Sequence, residues 1–235
     1  MEYELCLCSD THESLPTAAP APQALCWLHA GDFYNNRDQA SAIDDSDADF
    51  TDTIGELEGG EIYQWFKKSR IPLFAVRGNH DGDDAWGFFR KARDISGKIV
   101  RLAPKLLAAG IGWHGRNYND LPSNADFSDA SSALSREILK KRKPDDLLIL
   151  LTHYPILAPP HTDNPQETFA ALRNLAAITL PDIIIQGHIH EWSGTHYHVA
   201  LAPAADKTLV INPGAKGGIL IVDSKARTAQ FKPAT

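Results

Sequence analysis

Five times along the chain a short apolar run stops at a cluster of Asp, Asn and His. Tyr3 to Cys8 leads into Ser9-Asp10-Thr11-His12, Ala24 to Ala30 into Gly31-Asp32, and Ile71 to Val76 into Arg77-Gly78-Asn79-His80-Asp81. Asp146 to Leu151 leads into Thr152-His153, and Asp182 to Gln186 into Gly187-His188-Ile189-His190. Runs of this length and greasiness, bounded by turn residues, read as buried strands. In an open α/β sheet, right-handed crossovers bring the carboxyl ends of parallel strands to one edge, where ligands bind. The pattern therefore predicts an α/β fold with all five polar clusters gathered in one place.

The segments between the runs supply most of the helices such a fold needs. Thr53-Ile54-Gly55-Glu56 has the form of a capping box, opening a helix with Ile54, Leu57, Trp65 and Phe66 on one stripe and a kink at Gly59-Gly60. Asp83 or Asp84 caps a second helix with Trp86, Phe89 and Ala92 on one face. A third spans Ser128 to Lys143, with Ala130, Leu134 and Ile138 spaced by four and Pro144 as its stop. A fourth opens at Asn164-Pro165 with Glu167 completing its cap, buries Phe169, Leu172 and Ala176, and ends before Pro181.

Elsewhere the pattern departs from a regular alternation. Pro16, Pro20 and Pro22 make residues 14–24 an irregular connection. The stretch from Gly97 to Gly112 predicts two short strands. Beyond His190, Thr195 to Leu201, Thr208 to Ile211, Gly218 to Val222 and Thr228 to Phe231 read as a meander of antiparallel hairpins. Two packed sheets flanked by helices follow, in a single domain over residues 1–235.

Composition narrows the function. With 235 residues, 43% of them hydrophobic, the chain can bury a full core. No apolar run approaches the roughly 20 residues of a membrane helix, and Met1-Glu2-Tyr3-Glu4 carries no basic, apolar leader, so the expected compartment is the cytoplasm. A net charge of −7 without a basic stripe argues against long nucleic acids as partners. Cys6, Cys8 and Cys26 fall inside predicted strands and read as buried thiols. The acidic run from Asp38 to Asp52 lacks the Gly and the closing Glu of a calcium loop and reads as a solvated or mobile loop.

His, Asp and Asn without Cys form a mixed nitrogen and oxygen set suited to manganese, iron, zinc or a similar divalent ion. The candidates outnumber the ligands of one four-coordinate site. Two ions sharing one carboxylate, Asp32, would use them all.

The ordered set Asp10-x-His12, Gly31-Asp32-x-x-Asn35, Gly78-Asn79-His80-Asp81, His153 and Gly187-His188-x-His190 resembles the calcineurin-like metallophosphoesterase superfamily. That resemblance implies a four-layer α/β/β/α sandwich with two divalent metal ions. It implies Asp10, His12 and His190 on one ion and Asn79, His153 and His188 on the other, with Asp32 bridging. It further implies in-line attack on phosphorus by a hydroxide held between the ions, with His80 as the catalytic group that assists the leaving group. Relatives acting on phosphoproteins typically carry Asp where this chain has Asn35, so a protein phosphatase is disfavoured.

The substrate expected on these grounds is a small phosphate ester, with a phosphodiester preferred. The alternatives are a phosphomonoester and, from a different class, a non-catalytic interaction scaffold. Asn35, His114, Arg116 and Tyr154 are candidate substrate contacts from neighbouring loops, Arg116 because a guanidinium can grip phosphate at two points. His29, His161, His196 and His198 read as structural or exposed.

Overall fold

The computed structural model describes residues 1–12, 14–18, 23–33, 62, 65, 68–81, 92–113, 122–160, 162, 168–203 and 207–235. Twelve strands among these form two six-stranded mixed sheets. The first runs in the order β12-β11-β1-β2-β3-β4, from Thr228–Pro233, Gly218–Asp223, Glu2–Cys8, Cys26–His29, Leu73–Ala75 and Ala92–Asp94. The second runs β5-β6-β7-β8-β10-β9, from Ile99–Ala103, Leu106–Ile111, Leu147–Thr152, Ile183–Ile185, Lys207–Ile211 and His196–Ala200. β1 to β4 are mutually parallel, as are β6, β7, β8 and β10; an antiparallel hairpin extends the first set beyond β1, and one antiparallel strand borders the second set on each side.

Strand alternation explains why these runs are apolar throughout. Leu147, Ile149 and Leu151 of β7 point into the core between the sheets, where Leu5, Leu28 and Phe74 of the first sheet meet them. Leu148 and Leu150 point the other way, under Leu134, Ile138, Leu172 and Ala176 of the helices. A strand covered on both faces cannot show polar alternation. Each such Leu or Ile contributes about 1.5–3 kcal/mol by leaving water.

Helix α1 spans Asn124–Lys141 and α2 spans Ala170–Thr179, both over the second sheet. α1 starts earlier than the expected Ser128 because Ser123 and Asp126 close a capping box ahead of it. Its buried stripe is Phe127, Ser131, Leu134, Ser135 and Ile138, so the expected Ala130 is corrected to the solvent face. Past its end, the Arg142 guanidinium donates to the carbonyls of Thr179 and Leu180 at the end of α2 and to the Asp182 carboxylate. One side chain thus fixes both helices to the start of β8.

Three other expectations change. Ala92 opens β4, an edge strand, instead of lying on a helix face. Phe169 is the residue ahead of α2 and only half-buried, while Leu175 joins Leu172 and Ala176 in the core. The C-terminal strands are two hairpins in different sheets: β9 and β10 pair in the second, and β11 and β12 in the first, where β11 docks antiparallel on β1. The expected acidic loop, the Asp83/Asp84 cap and the start at Asn164-Pro165 lie outside the described residues. Of the stripe at 54–66, only Trp65 is described, half-buried and edge-on to Trp27 with ring centroids 4.9 Å apart.

Candidate metal centre

The five polar clusters meet, but they come from two sheets, not one. β1, β2 and β3 deliver Asp10 and His12, Asp32, and Asn79 and His80 from the first sheet. β7 and β8 deliver His153, His188 and His190 from the second. The sheets are tied at this edge by His188 N–H donating to Asp10 Oδ1 at 2.8 Å and by His153 Nδ1 lying 2.9 Å from the Ala30 carbonyl.

The side chains form two groups around one carboxylate. In the first, His12 Nε2 lies 3.1 Å from His190 Nε2, which is 3.9 Å from Asp10 Oδ1. In the second, Asn79 Oδ1, His153 Nε2 and His188 Nδ1 form a triangle of 3.0, 3.1 and 3.2 Å. Asp32 Oδ2 stands between them, 3.9 Å from His12 Nε2 and 3.3 Å from His153 Nε2.

Hydrogen-bond chemistry says what this geometry is for. His153 Nδ1 can only donate to the Ala30 carbonyl, which leaves the lone pair of the neutral ring on Nε2. That lone pair faces the Asn79 amide oxygen, another acceptor. Acceptors at this distance repel unless a proton or a cation lies among them. Asp10 Oδ2 adds to the case, buried and without a hydrogen-bond partner. All these donors are nitrogen or oxygen, and the residues present fit divalent ions.

The charges respond in kind. Burial opposes a charge on His153, but the Asp32 and Asp10 carboxylates overcome it and push the ring up to about 9. Burial would raise Asp32, yet His153 holds it well below the usual carboxylate range. His188 is pushed down to about 3, by burial and by the neighbouring His153 charge. At neutral pH His153 therefore holds a proton beside the Asp32 carboxylate while His188 stays neutral, so this group is suited to exchange that proton for a metal cation.

The loops are held in costly shapes. Asp10, His12, Asp32 and His188 all have positive φ, at 51°, 42°, 57° and 72°. Such conformations cost a non-glycine residue about 1 kcal/mol or more and persist only where surroundings enforce them. Asp81 does much of this: its buried carboxylate accepts the amides of Asp32 and Phe33, each at 2.8 Å, and of Gly78 at 3.0 Å. Burial and the Asp32 charge push its carboxyl up to about 7, against the pull of those donors. A Cβ on Gly78 would run into Asp32 Oδ1, an atom already fixed by the His80 amide at 2.9 Å. Gly78→Ala should therefore destabilise the protein by about 1–3 kcal/mol, the range for overpacking, seen as a lower melting temperature; an unchanged one would mean the loops give freely.

His80 joins the centre, its ring edge-on to that of His12 with centroids 4.9 Å apart. Tyr154 is a correction. Its ring is 1% exposed and packs against Phe127, Phe169 and Trp113 behind His153 and His188, where a dissolved substrate has no access. Asn35, His114 and Arg116 lie outside the described residues, as does His161, while His196 and His198 are exposed on β9. Residue order does not show the clamp that Asp81 forms, nor that His29 Nε2 meets Thr11 Oγ1 at 3.1 Å behind the Asp10 turn; the signal available for His29 was its place at the end of β2, three residues before Asp32.

Comparison with known proteins agrees with this geometry. The family model described as calcineurin-like phosphoesterase matches residues 5–192, most of the chain and all of the centre. The chain belongs to the calcineurin-like phosphoesterase family. Its members are typically binuclear metal-dependent phosphoesterases, which the two groups about Asp32 fit. The fold of this calcineurin-like phosphoesterase is similar to that of TT1561 from Thermus thermophilus, at 16% identity and TM-score 0.59 over 99% of each chain. It is similar also to a protein from Staphylococcus aureus assigned as a 5′-nucleotidase, at 12% identity and TM-score 0.59 over 99% of this chain and 53% of that one. A third is GAP50, the anchor in the inner membrane complex of Plasmodium, at 10% identity and TM-score 0.52 over 100% of this chain and 89% of that one. Among curated proteins no sequence matches significantly. No helix among the described residues is long and apolar enough to cross a membrane.

Proposed function

We propose that the chain, as a single domain, is a binuclear metal-dependent phosphoesterase acting on a small phosphodiester. The observation that carries this reading is the convergence of donor residues from five strand ends, all nitrogen or oxygen, with the Asp32 carboxylate at their centre. Asp10, His12 and His190 would hold one ion and Asn79, His153 and His188 the other, with Asp32 Oδ2 reaching both. Manganese, iron or zinc suits such a donor set. When bound, two such ions supply Lewis acidity to phosphoryl oxygens and lower the pKa of water at the site.

The chain's own residues do the rest. The Ala30 carbonyl orients the His153 ring through Nδ1. Asp81 locks the Asp32 and Gly78 loops together. The half-buried His80 presents its ring beside His12, and in this reading donates a proton to the departing oxygen. A chain of net charge −7 without a basic stripe suits a small ester better than a polymer. Three free, buried thiols fit a reducing compartment such as the cytoplasm.

A phosphomonoester is the second reading, supported by the assignment of the Staphylococcus aureus neighbour as a 5′-nucleotidase. The test is hydrolysis of bis-p-nitrophenyl phosphate and p-nitrophenyl phosphate by chelator-stripped protein before and after adding manganese. The expected result is metal-dependent cleavage, faster on the diester, and a loss of about 10²-fold or more in kcat for His80→Ala with both ions retained. Faster monoester cleavage would replace the first reading with the second. Two bound ions and no hydrolysis of either ester would favour the interaction scaffold.

A further inference from the structure

Behind the turn that carries Asp10 and His12 lies a buried histidine that the proposed reaction does not use. His29 ends β2, is fully buried, and stacks on Phe33 with ring centroids 3.5 Å apart and planes inclined by 15°. The Gly31 amide donates to its Nδ1 at 3.1 Å. An amide has only a proton to give, so Nδ1 carries the lone pair and the neutral ring carries its hydrogen on Nε2. Nε2 lies 3.1 Å from Thr11 Oγ1. With one lone pair of that hydroxyl taken, its proton turns to the carbonyl of Asp32 at 3.3 Å or of Phe33 at 3.4 Å.

The result is a directional chain from Gly31 through His29 and Thr11 back to Asp32. It crosses between the two loops that must keep a fixed separation. Thr11 sits between Asp10 and His12, and all three of Asp10, His12 and Asp32 have positive φ. Backbone bonds from Asp10 N to the Gly31 carbonyl and from His12 N to the Asp32 carbonyl hold the strands of this turn together at 2.9 and 3.2 Å. The hydroxyl pin at Thr11 fixes how the turn is rotated. The second group of donors leans on it less, because Asp81 holds Asp32 and Gly78 directly and the Ala30 carbonyl orients His153, while His188 meets Asp10 Oδ1 through its backbone amide.

We propose that His29, acting through Thr11, is a positioning residue for the ion that Asp10, His12 and His190 would hold together with the shared Asp32, and not for the one that Asn79, His153 and His188 would hold. The inference rests on the binuclear reading above. It predicts an asymmetry that general loosening of the fold would not produce.

The experiment is calorimetric titration of Mn2+ into chelator-stripped protein. Wild type should show two sites. His29→Phe, which preserves the stack on Phe33, should keep one at wild-type affinity and weaken the other about 10- to 100-fold, the usual effect of losing a hydrogen bond that orients a metal ligand. Thr11→Val should do the same, the double variant should be no worse than either single one, and Thr11→Ser should restore both sites. If His29→Phe fails to fold, the near-isosteric Thr11→Val carries the test. Two sites of wild-type affinity in a folded variant, or equal weakening of both, would overturn the proposal while leaving the binuclear reading intact. Fewer than two sites in the wild type would overturn the binuclear reading itself.

Discussion

Asp32→Asn should lower kcat/KM for phosphoester hydrolysis by about 10³-fold or more, while the metal-free protein stays folded. The loss is expected to be this large because one atom serves both groups: Asp32 Oδ2 lies 3.3 Å from His153 Nε2 and 3.9 Å from His12 Nε2. Metal and fixed dipoles aimed at developing charge supply the largest share of catalysis in such sites. Folding survives because the amide has the carboxylate's shape. Its oxygen can take the place of Oδ1 and keep the His80 amide bond, now 2.9 Å long. Its NH2 then faces His153 Nε2 and donates to the lone pair that otherwise awaits a cation. The substitution therefore replaces an attraction for metal with a satisfied hydrogen bond. Elemental analysis after dialysis against manganese would show both ions lost or strongly weakened. Retention of two ions with activity within tenfold of wild type would remove Asp32 from the role of bridge.

Most of this centre could be read from residue order because strand ends are informative at short range. An apolar run that stops at Gly-Asp or Gly-Asn-His states both where a strand ends and what it offers there. Asp10, His12, Asp32, Asn79, His80, His153, His188 and His190 are brought together as that logic requires. What the order did not reveal is long-range. Nothing near His153 indicates that its strand belongs to a different sheet from β1, since β7 is as apolar as any strand covered on both faces. The C-terminal hairpins read alike, yet one joins each sheet, a choice made by the docking of β11 on β1 from the opposite end of the chain.

Tyr154 and His29 show the same limit from opposite sides. Tyr154 follows a candidate ligand and so looked available to substrate, but the aromatic shell that buries it comes from Trp113, Phe127 and Phe169. His29 looked unremarkable because its significance depends on Thr11, which approaches it from the neighbouring strand end. Local sequence reports what a side chain can do; its depth below the surface is set by elements far along the chain.

The last expectation concerns pH. In metal-free protein His153 titrates near 9, against an ordinary value of 6.5, because Asp32 and Asp10 favour its charged form despite burial. A histidine raised in this way stabilises the fold fully below 6.5, and the contribution fades as pH climbs through 9. The gap corresponds to about 3 kcal/mol. His188 acts with the opposite sign. Its value in the fold is about 3, so below 6.5 the unfolded chain takes up a proton that the folded chain refuses. On the acid side Asp81 opposes this, because its carboxyl, raised to about 7, holds a proton in the fold that the unfolded chain gives up above 3.8, so the change to expect in the stripped protein is a fall in stability as pH climbs from about 6.5 to 9. Added manganese should abolish the alkaline loss, because a cation among Asn79, His153 and His188 replaces the proton and meets the same lone pairs. Binding must then release that proton, and apparent affinity should rise by up to about tenfold per pH unit between roughly 6.5 and 9. Urea denaturation across about pH 5 to 9.5, with chelator and with manganese, measures both effects. A metal-free profile that is flat above about 6.5 would show that His153 is not held charged by the carboxylates, and the account of the centre as a site that exchanges a proton for a cation would fail.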